Sequence, residues 1–309
     1  MTLRALHDVP APAKLNLFLH VVGRRGDGYH LLQSLFVLID WADRLHFERR
    51  DDGRLLRHDL GTPLPADDLC LRAARALREA GGTALGADIH IDKQVPAGAG
   101  MGGGSSDAAS TLLALNRLWG LNWPRRRLAD LGLTLGADLP FFIQGANALV
   151  EGIGERITPV VLPIGRYAVL KPALSLDTRS IFTHPGLKRD TEPVIISGYS
   201  GVASPHGLAG AAGPSWMQAG FGRNDLQGPA EDRCPEVGQA ARWLEARFGN
   251  SRMTGSGSAV FARVIEVPAV NEVTALKPDP LAGLPLGWVG RMCQGLAHHP
   301  LAQWVGDAG

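Results

Sequence analysis

Phosphate chemistry is the first thing suggested by residues 96–106, which read Pro96-Ala97-Gly98-Ala99-Gly100-Met101-Gly102-Gly103-Gly104-Ser105-Ser106. Five glycines sit in these eleven positions. The loop is entered from Ile89-His90-Ile91-Asp92-Lys93-Gln94-Val95, where apolar and polar residues alternate as in a half-buried strand. It leaves into a segment that places Ala108, Leu112, Leu115 and Trp119 on one helical face. A side-chain-poor loop that opens a helix leaves backbone N–H groups unpartnered at the positive end of the helix dipole. Such a strand–loop–helix unit seats phosphate and so predicts nucleotide binding. Ser105 and Ser106 are also ordinary capping residues, so they decide nothing alone.

Two well-known phosphate loops do not fit. No Gly-Lys-Ser/Thr follows the glycines, so there is no P-loop lysine. A dinucleotide fingerprint needs an acidic residue about 20 positions later, and Arg125-Arg126-Arg127 with Asp130 stands there instead.

The run Val95 to Ala109 resembles the phosphate loop of the GHMP kinase family. Pro12-Ala13-Lys14-Leu15-Asn16-Leu17 and Thr254-Gly255-Ser256-Gly257-Ser258-Ala259 resemble its two other blocks. The resemblance implies an α+β fold in two domains. The first, residues 1–160, is ribosomal protein S5 domain 2-like and binds ATP; the second, residues 161–309, is ferredoxin-like, with the active site in the cleft between them. It also implies ATP bound by residues 96–106, Mg²⁺ of unassigned ligands with Ser106 as a candidate, and the pair Lys14 and Asp138 as the acid–base machinery. Asn16 is expected on the acceptor or on the nearby lysine. Gly28-Tyr29-His30 and Leu133-Thr134-Leu135-Gly136-Ala137-Asp138-Leu139-Pro140 resemble the members whose acceptor is a methylerythritol linked to cytidine diphosphate. There Tyr29 and Phe182 stack on the base and His30 hydrogen-bonds it. The implied reaction is phosphorylation of that acceptor's 2-hydroxyl. Another small alcohol, such as mevalonate phosphate or homoserine, and a non-catalytic nucleotide-binding protein are the alternatives.

The residues alone leave simpler readings open. Asp138 before Leu-Pro also suits a helix N-cap. Lys14 suits a structural salt bridge, Tyr29 a packed surface aromatic and Phe182 plain core.

Composition sets the frame. A chain of 309 residues, 45% hydrophobic and 20% charged, predicts a soluble globular protein of two ordinary domains. A net charge of +1 carries no nucleic-acid footprint, and Arg125-Arg126-Arg127 reads as an exposed helix start. Three scattered cysteines, Cys70, Cys234 and Cys293, read as buried thiols in a reducing compartment. No run is long enough to span a bilayer and no usual signal layout precedes Leu15, so a cytoplasmic protein is expected. Nothing here sets the oligomeric state.

The elements follow from periodicity. Leu15, Leu17, Leu19 and Val21 should share one strand face, and Lys14, Asn16, Phe18 and His20 the other. A second strand over 31–39 predicts a hairpin with Tyr29 and His30 near its turn. Helices are expected over 69–80, after the glycine loop, around Leu128, Leu131 and Leu135, and around Val237, Ala241, Leu244 and Phe248. Residues 141–150 and 156–161 read as strands or strand-and-turn units, and 167–170 and 259–264 as strands. Residues 191–215, rich in Gly, Ser, Ala and Pro, read as a long loop or insertion.

Overall fold

The computed structural model describes residues 3–194, 222–265 and 279–307. Its backbone is one ten-stranded sheet, in which the strand over residues 30–50 is bonded to four others. The first half holds β1 (Ala5–Arg24), β2 (His30–Arg50), β3 (Leu55–Asp59), β4 (Gly86–Asp92), β5 (Ala148–Gly152) and β6 (Arg156–Pro159). Between them lie α1 (Leu69–Gly81), α2 (Gly103–Leu118), α3 (Arg125–Leu133) and α4 (Leu139–Gln144). The second half holds β7 (Arg166–Lys171), α5 (Thr178–Phe182), α6 (Gln227–Arg233), α7 (Pro235–Phe248), β8 (Ser251–Met253), β9 (Val260–Val264) and β10 (Val289–Leu296). Only β3 with β4 pairs in parallel among the described strands, the mark of an α+β fold.

β1 and β2 form the expected hairpin, with Arg24 opposite His30, but its strands are far longer than the 31–39 reading. The expected face assignment holds only to Asn16. A bulge between Asn16 and Leu19 turns the strand over. Phe18 therefore packs in the same core as Leu15, while Leu19 and Val21 join the core of the second half. With Val9 and Ala11 in a further core of the first half, this one strand serves three cores.

The residue 141–150 reading is corrected: Phe141 to Gln144 is helical and the strand begins at Ala148. A short apolar run does not distinguish the two states, and the αL residue Gly145 ends the helix. α3 stops at Leu133, leaving Leu135 beyond it. α2 is buried on most sides, Asp107, Ser110, Thr111 and Asn116 included, not on one face alone. The insertion expected over 191–215 falls almost wholly outside the described residues. The three cysteines are buried free thiols, and burial pushes Cys293 up to about 12.

Arg125 is the second correction. It is buried, not an exposed helix start. Its guanidinium donates to the carbonyls of Ile143 (2.8 Å), Ala302 (2.6 Å) and Val305 (2.9 Å), fastening the C-terminal residues to the first-half core. Leu301 and Val305 are members of that core. Arg125→Met should leave those carbonyls unpaired and lower unfolding free energy by about 2–3 kcal/mol. Urea denaturation measures it; an unchanged midpoint would deny the clamp.

Candidate active site

The glycine loop is gripped through its carbonyls. Gly98 and Ala99 accept from the amides of Ser258 (3.2 Å) and Ala259 (3.1 Å), and Met101 accepts from Lys14 N at 3.0 Å. Gly98, Gly100 and Gly102 have φ of 62°, 73° and 70°, which glycine alone adopts cheaply. With the carbonyls turned into the protein, the amides of Gly100 to Ser105 find no acceptor among the described residues. Those of Gly103, Gly104 and Ser105 are the orphan donors of α2. The loop is thus an array of N–H groups of the kind that binds anions at a helix start.

The turn over residues 254–258, between β8 and β9, lies directly on this loop. A Cβ on Gly100 would fall 2.3 Å from Thr254 O, and one on Gly255 would fall 2.4 Å from Gly100 O. The two glycine blocks, distant in sequence, are in backbone contact.

Lys14 projects beside them. Its Nζ lies 3.7 Å from Asp138 Oδ2, an ion pair and too long for a hydrogen bond. The lysine side chain is 5% exposed and the aspartate 32%, so the carboxylate is the member open to a ligand. The ammonium donates to Asn16 Oδ1 at 2.6 Å and lies 4.3 Å over the Phe36 ring. Burial pushes Lys14 below the ordinary lysine range, with Asp138 pulling the other way. Asp138 occupies the N-cap position of α4 but makes no side-chain capping bond, and its φ/ψ of −82°/−17° are helical. Asp138 is thus the N-cap residue by position, as the Asp-Leu-Pro order suggested, but its carboxylate caps nothing and pairs with Lys14.

Asn16 is hydrogen-bonded through both atoms of its amide group. Its amide nitrogen donates to Ser34 Oγ at 2.9 Å, and its oxygen also accepts from Gly255 N at 2.9 Å. Of its two expected partners it holds the lysine. Ser106, a candidate metal ligand in the sequence reading, is buried and donates to Pro12 O at 2.7 Å.

Two cavities meet at the loop, both lined by Gly100 and Gly102. One, of about 950 Å³, is lined by Lys14, Asp138, Tyr29, His30 and Phe182 together. Tyr29 is 62% exposed on the hairpin turn. The His30 and Phe182 rings lie 5.1 Å apart at 34°. The other cavity, of about 480 Å³, is lined by residues 96–105 with Leu64, Leu69, Cys70 and Lys93.

Sequence reasoning missed the support beneath the loop. Lys93 donates to Asp107 Oδ2 at 2.6 Å and pairs with Asp43. Asp43 Oδ1 in turn accepts from the amides of Gln94 and Val95. Burial pushes the Asp107 carboxyl well above the carboxylate range, against the pull of Lys93. No periodicity marks buried ions of this kind. Arg189, which hydrogen-bonds His30, was missed for the same reason.

Residues 68–146 match the model of the GHMP kinases N terminal domain. A protein of Methylibium petroleiphilum named 4-diphosphocytidyl-2-C-methyl-D-erythritol kinase is 60% identical, over 99% of this chain and 100% of its own. The chain belongs to the GHMP kinase family. A crystal structure of 4-(cytidine 5'-diphospho)-2C-methyl-D-erythritol kinase superposes on this GHMP kinase with a TM-score of 0.69 and 36% identity. That match covers 85% of this chain and 91% of the other. A homoserine kinase structure from Cytophaga hutchinsonii gives 0.58 at 17% identity, over 84% of each chain, a likeness of fold alone. No described helix of this family member is long and apolar enough to cross a membrane.

Proposed function

We propose that this chain transfers the γ-phosphoryl group of ATP to the 2-hydroxyl of 4-diphosphocytidyl-2-C-methyl-D-erythritol, in the non-mevalonate route to isoprenoid precursors. The observation that carries the reading is one cavity lined by the Lys14–Asp138 pair, by Gly100 and Gly102, and by Tyr29, His30 and Phe182. A nucleotide along the loop and a cytidine-bearing alcohol in the cavity would meet at the ion pair. MgATP supplies the electrophilic phosphoryl group with its charge partly neutralised.

Asp138 then accepts the hydroxyl proton as the oxygen attacks, and ADP departs. Lys14, 3.7 Å from the carboxylate, steadies the developing negative charge. Asn16 and Phe36 hold the ammonium in place. Among the described residues no group of three or more His, Cys, Asp or Glu could hold a metal. An ion carried on the phosphate oxygens would neutralise part of their charge, with Asp138 the carboxylate that lines the same cavity as Gly100 and Gly102. The unpaired amides of Gly100 to Ser105 fit the phosphates themselves. We place the ATP-binding part in residues 1–160, the second domain in 161–309, and the protein in the cytoplasm.

The test is ADP release in a coupled assay with the cytidine-bearing acceptor. Turnover of homoserine or mevalonate phosphate, with none of the cytidine compound, would overturn the reading. ATP binding without any transfer would favour a non-catalytic protein. The depressed Lys14 also predicts an alkaline limb in kcat/KM. Deprotonation removes the charge the site uses, so activity should fall below pH 10.5, the ordinary lysine value. A profile flat up to that pH would contradict a charged Lys14 role.

A further inference from the structure

The guanidinium of Arg189 has four hydrogen bonds. Nη1 donates to Leu187 O at 2.9 Å, and Nη2 to Phe182 O at 3.1 Å and His184 O at 3.0 Å. These three carbonyls set its orientation, and Nε is left to donate to His30 Nε2 at 3.1 Å. Arginine is always protonated in proteins and has no acceptor. His30 Nε2 must therefore accept, so it carries no hydrogen. The alternative ring orientation would put carbon Cε1 against the arginine and lose the bond. In a neutral imidazole the hydrogen is then on Nδ1. Among the described residues Nδ1 has no protein partner, and His30 lines the large cavity.

We infer that Arg189 is a positioning residue for base recognition: it locks His30 as the Nδ1–H tautomer, so that the cavity reads a pyrimidine whose ring nitrogen accepts a hydrogen bond, as in cytosine, and rejects one whose ring nitrogen carries hydrogen, as in uracil. This deepens the proposed function and rests on the base occupying that cavity. Arg189 also ties the two sides of the clamp, since the same side chain holds the backbone of Phe182 and the ring of His30. The charged groups around the imidazole favour its neutral form. Burial, then Arg189, then Arg24 push His30 below the ordinary histidine range. Asp27, on the hairpin turn, lines the same cavity.

The experiment uses the full chain. Nitrogen-15 NMR of histidine-labelled protein, with His30→Gln assigning the signal, reads the tautomer directly. CMP and UMP titrations read the discrimination. In the wild type we expect an unprotonated Nε2 and a preference for CMP of about 10- to 100-fold, as when a site's donor meets another donor instead of an acceptor. Arg189→Met should bring the CMP/UMP ratio close to one and raise the acceptor KM more than it lowers kcat. Arg189→Lys, whose single ammonium cannot span the three carbonyls and His30, should shift the ratio the same way by less. It stands in if the methionine variant does not fold. A protonated Nε2 in the wild type, or an unchanged ratio in a folded variant, overturns the inference while acceptor turnover leaves the kinase reading intact. If the wild type neither binds CMP nor turns over the acceptor, the kinase reading falls and the inference with it.

Discussion

Asp138→Asn is expected to lower kcat by about 10²–10⁴-fold, the usual contribution of a positioned general base. The amide keeps the size of the side chain but cannot take the hydroxyl proton. It also removes the charge 3.7 Å from Lys14 Nζ, leaving the buried ammonium with Asn16 and the Phe36 ring. ATP affinity should change little, because the loop amides proposed to bind the phosphates are set by Ser258, Ala259 and Lys14 through backbone bonds. The measurement pairs steady-state kinetics with ATP titration. Full turnover in this variant would remove Asp138 from the mechanism. A loss of ATP binding equal to the loss of rate would make it a structural residue. Asp138 makes no capping bond on α4, so any fall in thermal stability should come from the buried ammonium losing its counter-charge.

Gly100→Ala should be the most damaging change in the loop. The residue has φ of 73°, and its added methyl would lie 2.3 Å from Thr254 O and 2.9 Å from Gly257 N. Both neighbours are backbone, so neither can swing aside as a side chain would. Left-handed strain and overpacking together predict a loss of about 2–5 kcal/mol. The loop or the turn over residues 254–258 must move, and ATP binding should weaken with it. Melting temperatures with and without ATP test both effects. Gly104→Ala is the control for folding, since its methyl meets nothing nearer than Leu69 Cδ1 at 3.9 Å. Equal melting temperatures and ATP shifts for Gly100→Ala and the wild type would mean that backbone contact does not shape the loop.

These two residues also mark how far the amino-acid order could be read. The glycine loop, the helix after it and the helix at Leu69–Gly81 are local: their signals are glycine spacing, apolar period and a Gly stop. The hairpin that presents Tyr29 and His30 was visible for the same reason. The α4 segment was misread because four apolar residues fit either state, and the flip at Phe18 was hidden because a bulge depends on what a partner strand offers. Arg125 looked exposed because its acceptors come from the other end of the chain.

Residue types and their local period thus determined that this protein has a glycine loop opening a helix and a β-hairpin bearing Tyr29 and His30, while the α+β plan came with the family resemblance. Convergence was decided in three dimensions. Lys14 reaches Asp138, Thr254 reaches Asn16 and Arg189 reaches His30 only because β2 pairs with β1, β4, β5 and β10 along its length and joins the two halves into one sheet. A carboxylate and an ammonium far apart in the chain have no mutual signature in its order. Their encounter, and the burial that lowers the lysine, are properties of packed strands.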